Sequence, residues 1–339
     1  MQGIEIPSRE ALEPFFGRDD PISRIVPLAG DASTRKYYRV LLNSGSHRVV
    51  MVMPNPGTGE ESSFLEMQGF LDRLGLPVPR VYGHRHDLGL VLLEDLGDDL
   101  LETVVDRSSE EATRALYRDA VDILSDMRRR ATGPADGCPA FGLAFDEAKL
   151  MFEMDYFMEH FVRGLCGKVL SAHAQSTLNS FFLEICRFLA DQPRVLTHRD
   201  YHARNLIFHN DRLVMIDFQD ARMGPAQYDL ASLLRDSYVT LPVGLVDELI
   251  RRYWEAEPSP NHTSPDRFTH VFDIMSLQRN MKALGTFGYQ LSVRRNDRFR
   301  SAIPRTGGYI ECAMERHPEF KDVRSVVLEY VCEPCREFA

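Results

Sequence analysis

Residues 198–205 read HRDYHARN, and the chain continues as LIFHNDRLVMIDF up to residue 218. The continuation consists of two short apolar runs on either side of the polar tetrapeptide HNDR, whose composition is typical of a tight turn. Antiparallel strands joined by a short turn bring their outer ends together. We therefore expect Asn205 and Asp217 to lie side by side, close to Asp200.

These three polar residues suit phosphoryl transfer from a nucleotide, which depends on positioning and charge neutralisation more than on covalent catalysis. A carboxylate must orient the attacking hydroxyl and take its proton, and oxygen ligands must hold Mg²⁺ against the phosphates. Asp200 can serve as the base, and Asn205 and Asp217 as the metal ligands. The four fixed residues of H-R-D-x-x-x-x-N would coincide by chance on the order of one time in a thousand. The stretch predicts a magnesium-dependent phosphotransferase.

The stretch lies in a mostly helical region that follows a smaller, strand-rich region. Apolar patterns predict a short first helix, then four strands, with a helix over 60–74 between the second and third strands. We expect an α+β chain with two lobes, a small β-rich lobe at 1–96 and a large helical lobe at 97–339. The predicted strands cover 37–42, 48–53, 80–83 and 88–93, and the later helices cover 108–130, 146–165, 171–190, 226–238, 243–255, 265–290 and 321–332.

The charge of the chain limits its partners. Its 40 basic and 50 acidic residues give a net charge of −10, which argues against nucleic acid and anionic membranes as partners, since both select basic surfaces. The N-terminus has no leader-like pattern, and no apolar run reaches the roughly 18 residues of a membrane span. We expect a cytoplasmic protein, and the sequence does not indicate its oligomeric state.

The six cysteines show no framework spacing. Cys332 and Cys335 form a C-x-x-C pair, a spacing used in zinc and redox sites. A zinc site would need a second ligand pair, and no matching C-x-x-C or H-x-x-x-H occurs. We expect two reduced thiols near the C-terminus.

The chain resembles the aminoglycoside phosphotransferase and choline kinase family of small-molecule kinases over nearly its whole length. Within this family it is similar to the bacterial kinases that phosphorylate N-acetylmuramate and N-acetylglucosamine at the anomeric carbon during cell-wall recycling. The segments that carry the resemblance are GDASTR (30–35), LLEDLG (92–97), LTHRD (196–200), NL (205–206), IDFQDA (216–221), GP (224–225) and YDLA (228–231).

The resemblance implies a protein-kinase-like fold, with ATP or GTP as the phosphoryl donor. In this fold Asp200 resembles the catalytic base, and Asn205 and Asp217 resemble the Mg²⁺ ligands. The implied acceptor is a small molecule with an alcohol group, a sugar in the branch named above.

Three further residues are expected to support the catalytic segment. His198 and Arg199 belong to the same loop as the base, and His198 should stabilise it by packing and hydrogen bonding. Asp229 resembles a buried carboxylate that holds the loop. An exposed acid at a helix N-terminus is an equally good interpretation of Asp229.

The nucleotide is expected to bind under the segment 29–36 and at the junction of the lobes. This segment lies where a protein kinase has its glycine-rich loop, but it contains one glycine, so the G-x-G-x-x-G pattern is absent. Hydroxyl, N–H and basic groups could still cover the phosphates, and an ordinary polar turn is the alternative. Backbone groups at the junction would contact adenine. The residues proposed for nucleotide binding are Ser33, Thr34, Arg35, Lys36, Glu94 and Leu96.

One departure from the family pattern concerns a lysine. The strand 48–53, RVVMVM, lacks the lysine that usually contacts the α- and β-phosphates. Either Arg35, Lys36 or Arg48 supplies this charge, or activity is reduced or lost. A nucleotide-binding pseudokinase is therefore one alternative function.

The acceptor site is the least defined part of the sequence. Glu153 and Tyr156, together with Arg279 and Lys282, occur at helical spacing and are candidate acceptor contacts. Arg279 or Lys282 could pair with the carboxylate of N-acetylmuramate, whereas an aminoglycoside would require an acidic pocket. Solvated charges on amphipathic helices explain these residues equally well. An aminoglycoside- or choline-type kinase is thus a second alternative function.

Overall fold

The N-terminal part of the chain forms a five-stranded antiparallel sheet. The computed structural model describes residues 7–16, 20–28, 35–58, 60–131, 138–256 and 263–339. The strands are β1 (Ile22–Leu28), β2 (Lys36–Leu42), β3 (His47–Val52), β4 (Val81–Arg85) and β5 (Leu90–Glu94). They lie in the order β1-β2-β3-β5-β4, and every neighbouring pair is antiparallel.

Both faces of this sheet are covered, because apolar side chains on neighbouring positions of a strand point to opposite faces. On one face Val50 packs in a cluster with Leu12 of the short helix α1 (Arg9–Leu12). On the other face Met51 belongs to a core that includes Phe64 of helix α2, which runs from Glu60 to Arg73. The sheet therefore separates a small outer core from the main core.

The C-terminal part is mainly helical, and two pairs of short strands lie within it. The helices are α3 (Leu101–Asp106), α4 (Glu110–Arg130), α5 (Glu147–Phe157), α6 (Ala172–Ala190), α7 (Gln227–Leu234), α8 (Leu245–Glu255), α9 (Pro265–Ser292), α10 (Ile303–Arg316), α11 (Lys321–Val327) and α12 (Glu333–Arg336). The strands are β6 (Arg194–Thr197), β7 (Leu206–His209), β8 (Arg212–Met215) and β9 (Arg222–Pro225), paired antiparallel as β6 with β9 and β7 with β8. The predicted α+β fold with a β-rich first lobe and a helical second lobe is confirmed.

The long helix α9 is the centre of the helical part. Ser264 caps its first turn by accepting a hydrogen bond from the N–H of Arg267. Pro265 is the first helical residue, where a backbone N–H would have no acceptor within the helix. At Gly288 a Cβ atom would lie 2.4 Å from the carbonyl oxygen of His160. This glycine allows α9 to pack directly against the π-helical segment Met158–Leu165 that continues α5.

Several elements were not predicted from the sequence. Strand β1 contains a proline, helix α3 and the pair β6–β9 are short, and β6 finds its partner only in a strand about 28 residues later. The predicted helix 226–238 ends at Leu234, because the chain then leaves the helix to contact the catalytic segment.

Helix α10 is the largest element absent from the prediction. Its sequence begins with Ile303 and Pro304 and contains the pair Gly307 and Gly308, which are poor helix formers. A Cβ atom on Gly307 would lie 2.5 Å from Cβ of Cys335. Tertiary packing against α12, not helix propensity, therefore decides this helix.

The predicted lobe boundary at residue 96 stays a prediction. The main core contains residues from both sides of it, for example Leu93 and Leu101.

Cys332 and Cys335 are buried and not disulfide-bonded, and burial raises the pKa of both thiols. No helix in the described part of the chain has the length and apolar character that crossing a membrane requires.

Candidate active site

The catalytic loop, residues 198–205, is held by a buried carboxylate of α7. Asp229 accepts hydrogen bonds from the backbone N–H groups of His198 at 2.6 Å and Arg199 at 2.9 Å. Burial raises the pKa of Asp229 to about 7, while the two hydrogen bonds act in the opposite direction. The structure thus places Asp229 inside the molecule and not at an exposed helix end.

A second buried acid, Asp236, holds the other end of the loop. Its carboxylate accepts hydrogen bonds from the N–H groups of Ala203 and Tyr238, both at 2.9 Å. Burial raises its pKa to about 6. Sequence reasoning missed Asp236, which lies two residues beyond the last residue of α7, so helical spacing does not relate it to Asp229.

The backbone at two of the predicted site residues is strained. Arg199 has φ of +81° and Asp217 has φ of +65°, a left-handed region that costs residues other than glycine about 1–3 kcal/mol. The bond from Arg199 N–H to Asp229 helps to hold the first of these conformations. Strain of this kind is found preferentially at functional sites.

Asp200 is ion-paired with a residue of α9. Its Oδ1 lies 2.8 Å from Nζ of Lys282 and 3.7 Å from Nη2 of Arg279, and its Oδ2 lies 3.9 Å from Nε of Arg199. Burial acts to raise the pKa of Asp200, but the three cations outweigh it and hold the pKa well below its usual range. The carboxylate is therefore ionised at neutral pH.

The hairpin β7–β8 brings Asn205 and Asp217 together as the spacing predicts. The carbonyl oxygen of Asn205 accepts a hydrogen bond from the N–H of Ile216 at 3.0 Å, so Asp217 follows directly beside it. The Nδ2 group of Asn205 donates to the carbonyl oxygen of Asp200 at 2.8 Å. This bond orients the amide so that Oδ1 remains as an acceptor.

The donor set of Asn205 and Asp217 fits a hard divalent cation. It consists of one amide oxygen and one carboxylate, the ligand types that Mg²⁺ takes from proteins when phosphates and water complete its coordination. One oxygen of Asp217, Oδ1, also accepts a hydrogen bond from Nε2 of Gln219 at 2.8 Å. Gln219 was not singled out from the sequence as a site residue.

His198 and Arg199 connect the catalytic loop to the segment around Asp217. The Nε2–H group of His198 donates to the carbonyl oxygen of Ile216 at 2.9 Å. Burial lowers the pKa of His198, so the ring is neutral at neutral pH. Arg199 pairs through Nη1 with Asp220 at 2.9 Å. Both residues therefore support the geometry of the loop.

A cavity of about 70 Å³ lies beside Asp200, between α7 and α9. Two of the four acceptor candidates, Arg279 and Lys282, contribute to its wall, and Arg279 donates through Nη2 to the hydroxyl of Ser232 at 2.8 Å. Cations outnumber acids in this wall by three to two. The lining residues with ionisable or hydroxyl groups are Asp200, His202, Ser232, Arg235, Asp236, Ser237, Tyr238, Arg279, Lys282 and Thr286.

The other two acceptor candidates lie elsewhere on α5. Glu153 is buried, and its Oε2 accepts a hydrogen bond from Nε2 of Gln278 at 3.0 Å. Tyr156 packs against the rings of His160 and Tyr289, and burial raises its pKa to about 12. Neither Glu153 nor Tyr156 is among the described residues that line the cavity, and their contact with an acceptor stays a prediction.

The lysine missing from β3 is replaced by apolar side chains. Met51 and Met53 are buried in the main core, on the sheet face that is covered by α2. Lys36 is exposed, and Arg48 stacks on the ring of Tyr82 with its guanidinium carbon 4.2 Å from the ring centroid. The roles of Lys36 and Arg48 at the phosphates stay predictions.

Arg35, the third candidate cation, lies in the surroundings of Tyr37. Burial raises the pKa of Tyr37, while a hydrogen bond with Arg35 lowers it and the nearby charge of Asp217 raises it. Tyr37 therefore has both Arg35 and Asp217 in its surroundings. Arg35 also lines a cavity of about 310 Å³ together with Gln219 and Asp220. Two other phosphate candidates, Ser33 and Thr34, lie outside the described residues.

The junction of the lobes is tied together by polar contacts. The backbone N–H of Glu94 donates to the carbonyl oxygen of Arg80 at 2.8 Å, and the carbonyl oxygen of Leu96 accepts a hydrogen bond from Nδ1 of His209 at 3.0 Å. Because that carbonyl oxygen is already hydrogen-bonded, the N–H of Leu96 would be the backbone group that contacts a nucleotide base. The role of both residues in binding adenine stays a prediction.

An arginine of β2 spans this junction, and sequence reasoning missed it. Arg39 donates through Nε to Asp95 at 2.6 Å and through Nη1 to Asp98 at 2.8 Å. The contact joins residues 56 and 59 positions apart in sequence, so no local pattern could have indicated it.

Comparison with known sequences identifies the relatives of this chain. A model of the phosphotransferase enzyme family matches residues 24–262. A protein of Neisseria meningitidis serogroup B, named N-acetylmuramate/N-acetylglucosamine kinase, is 31% identical over 307 residues, which is 89% of each chain. A protein of the same name from Pseudomonas aeruginosa is 30% identical over 89% of this chain and 87% of its own length.

Comparison with solved structures finds the same fold at lower sequence identity. The ADP-bound aminoglycoside phosphotransferase APH(2'')-Ib superposes with a TM-score of 0.56 at 19% identity, covering 86% of this chain and 94% of the other. A choline/ethanolamine kinase family protein from Mesorhizobium loti gives a TM-score of 0.58 at 15% identity, covering 90% and 92%. These similarities show the fold.

Proposed function

This chain belongs to the phosphotransferase enzyme family, and on that basis we propose that it is an amino-sugar kinase. The proposed reaction transfers the terminal phosphate of ATP or GTP to the anomeric hydroxyl of N-acetylmuramate or N-acetylglucosamine. The names of relatives that match about nine-tenths of the chain support this substrate class. One observation carries the proposal. The ionised Asp200 lies between the proposed metal ligands, Asn205 and Asp217, and a cavity whose wall has more cations than acids.

In the chemical step, the sugar hydroxyl attacks the terminal phosphorus atom while the bond from that atom to the oxygen of the leaving diphosphate breaks. Asp200 accepts the hydroxyl proton and orients the oxygen for in-line attack. Because its pKa is low, Asp200 acts first as an orienting acceptor and receives the proton late, when the new bond to phosphorus has largely formed.

The nucleotide would lie between the sheet and the catalytic loop. Asn205 and Asp217 would hold Mg²⁺, which supplies positive charge against the phosphate oxygens. Arg35 would add a second positive charge at the position from which the β3 lysine is missing. The backbone of Leu96, with that of Glu94, would contact the base.

The charge of the cavity beside Asp200 favours a neutral or anionic acceptor. Arg235, Arg279 and Lys282 face two acids there, and a polycationic aminoglycoside or a choline-like amine would be repelled by such a wall. The cavity has room for a small group and not for a whole sugar. A carboxylate such as the lactyl group of N-acetylmuramate would pair with Arg279 or Lys282.

The test is a coupled assay of ADP release with N-acetylmuramate, N-acetylglucosamine, glucosamine, an aminoglycoside and choline as acceptors. Turnover with the N-acetylated sugars alone is the expected result, and phosphorus NMR of the product should place the phosphate on C1. Asp200→Asn should reduce turnover by about 10²–10⁴-fold, while Asp322→Asn, a change of an exposed acid on α11, should not. Turnover only with cationic acceptors, or a product esterified away from C1, would contradict the proposal.

A further inference from the structure

A second cluster of potential ligands lies apart from the catalytic residues. It consists of His270 in α9 and of His317 and Glu319 in the connection after α10. One ligand atom from each of the three residues lies within 4.8 Å of the others, and no other such group of three occurs in the part of the chain that the structure describes. We propose that these residues form a binding site for a transition-metal ion of the Zn²⁺ class.

The distances are close to those that a metal site requires. Oε1 of Glu319 lies 3.1 Å from Nδ1 of His317 and 3.8 Å from Nδ1 of His270. Tetrahedral Zn²⁺ with bonds of about 2.0–2.2 Å holds its ligand atoms about 3.3–3.6 Å apart. The two imidazole nitrogens lie within 4.8 Å of each other. Adjustments of up to about 1.5 Å, made by the partly exposed side chains of His270 and Glu319, would therefore complete the coordination.

The second ring nitrogen of His317, Nε2, contacts a carboxylate, as in many metal sites. Its Nε2 group lies 3.1 Å from Oδ2 of Asp273, which is buried in α9. A carboxylate that accepts the second ring N–H of a ligating histidine fixes the tautomer and makes the ring a better ligand. Asp273 and His270 are three positions apart in α9, so the same helix face supplies a ligand and the group that supports another ligand.

The ligand types define the metal. Two imidazole nitrogens and one carboxylate suit Zn²⁺, Co²⁺ or Ni²⁺ better than Mg²⁺ or Ca²⁺, which prefer oxygen alone. About a third of the His270 side chain and about half of the Glu319 side chain are exposed, so an ion can enter from solvent and keep a water molecule as a fourth ligand.

The charges around the cluster also allow a metal-free arrangement, in which a protonated His317 bridges Asp273 and Glu319. Arg316 lies with Nη1 3.6 Å from Oδ1 of Asp273, and Arg267 stacks on Phe188 nearby. Both cations oppose a metal ion, while the two carboxylates favour it. Binding would join the first turns of α9, the helix that also carries Lys282, to the α10–α11 connection.

The experiment is a Zn²⁺ titration of the full-length protein, stripped with a chelator and measured in competition with a chromophoric chelator. One tightly bound equivalent is expected, and His270→Ala and Glu319→Gln should each weaken it by more than about tenfold. Asp273→Asn should weaken it by about 10- to 100-fold. His173→Ala, a change of an exposed histidine on α6, is the matched control and should leave the affinity for Zn²⁺ unchanged.

Cobalt spectra separate this site from the thiols. Co²⁺ should give visible d–d bands of a four-coordinate site, without the near-ultraviolet charge-transfer band of a thiolate ligand. The bands should disappear in His270→Ala. The proposal is wrong if the protein binds no equivalent of Zn²⁺, if the affinity is unchanged in His270→Ala and Glu319→Gln, or if Co²⁺ shows thiolate ligation by Cys332 or Cys335. None of these readouts depends on the kinase activity.

Discussion

Lys282 Nζ lies 2.8 Å from Oδ1 of Asp200, so the proposed base of the reaction is paired with a lysine of a helix 82 residues further along the chain. The pair connects the catalytic loop to the wall of the proposed acceptor site. It also restrains the orientation of the carboxylate, because Lys282 holds Oδ1 while the carbonyl oxygen of Asp200 accepts hydrogen bonds from Asn205 and His202.

Replacing Lys282 by methionine should lower kcat/KM for the acceptor by about 10- to 100-fold. A hydrogen bond between charged groups contributes about 1.5–3 kcal/mol, which corresponds to that range. Steady-state kinetics with the acceptor varied would measure the effect. Lys321→Met, which changes an exposed lysine of α11, is the control, and equal kinetics for both variants would remove Lys282 from the site.

Asp217→Ala should weaken the binding of the magnesium–nucleotide complex by about tenfold or more, because one of two protein ligands is lost. Calorimetric titration with the nucleotide at several Mg²⁺ concentrations would detect it. Asp191→Ala removes an exposed acid at the end of α6 and should bind the complex normally. Unchanged affinity in Asp217→Ala would exclude it as a metal ligand.

Arg35→Met should raise KM for the nucleotide by about tenfold or more, because Arg35 is the candidate cation beside Tyr37 and Asp217. Arg48→Met is the matched control, since that guanidinium stacks on Tyr82 instead. If Arg48→Met has the larger effect on KM, a different cation compensates for the missing lysine.

Asp236 should make the stability of the protein pH-dependent. Burial raises its pKa to about 6 in the folded state from 3.8, so its contribution is fully present below about pH 4 and is lost as the pH rises through 6. Asp236→Asn cannot titrate, and its free energy of unfolding relative to the unmodified protein should therefore improve between pH 4.5 and 8 by about 2 kcal/mol. Urea unfolding at the two pH values would measure the difference. A difference that does not vary with pH would show that Asp236 has an ordinary pKa.

Gly288→Ala should destabilise the fold strongly, by about 3 kcal/mol or more, because the new methyl group would meet the carbonyl of His160 at 2.4 Å. Gly308→Ala is the matched change in α10, where a Cβ atom meets nothing within 4 Å. It should stabilise the protein by up to about 1 kcal/mol through helix propensity. Thermal unfolding of both variants tests the pair, and similar melting temperatures would contradict the close packing of α9 on the π-helical segment.

The parts of the fold that the sequence predicted correctly depend on local patterns. Apolar alternation indicated β2, β3 and β5, and helical periodicity indicated α2, α4 and α6 within a few residues. The failures were β1, α3, α10 and the pair β6–β9. Each is short or contains glycine or proline, so contacts between distant parts of the chain determine it.

The candidate site divides in the same way. The sequence was enough to predict that Asp200, Asn205 and Asp217 lie close together. One loop and one hairpin connect them, and the geometry of a hairpin is known in advance. Asp236 and Arg39 could not be identified, because Asp236 bonds to Ala203, 33 positions away, and Arg39 bonds to acids 56 and 59 positions away. Lys282 was recognised as a charge near the acceptor, but its pairing with Asp200 was not.

By itself, the sequence determined the reaction class, since the order and spacing of residues 198–218 place the proposed base and the two proposed metal ligands within one short segment. Only the tertiary structure decided the surroundings of that segment. Helix α9 brings Arg279 and Lys282 to Asp200, and β2 places Tyr37 where both Arg35 and Asp217 surround it. The reason is physical: a hairpin is specified by neighbouring residues, whereas an ion pair across the core exists only after packing has fixed both partners.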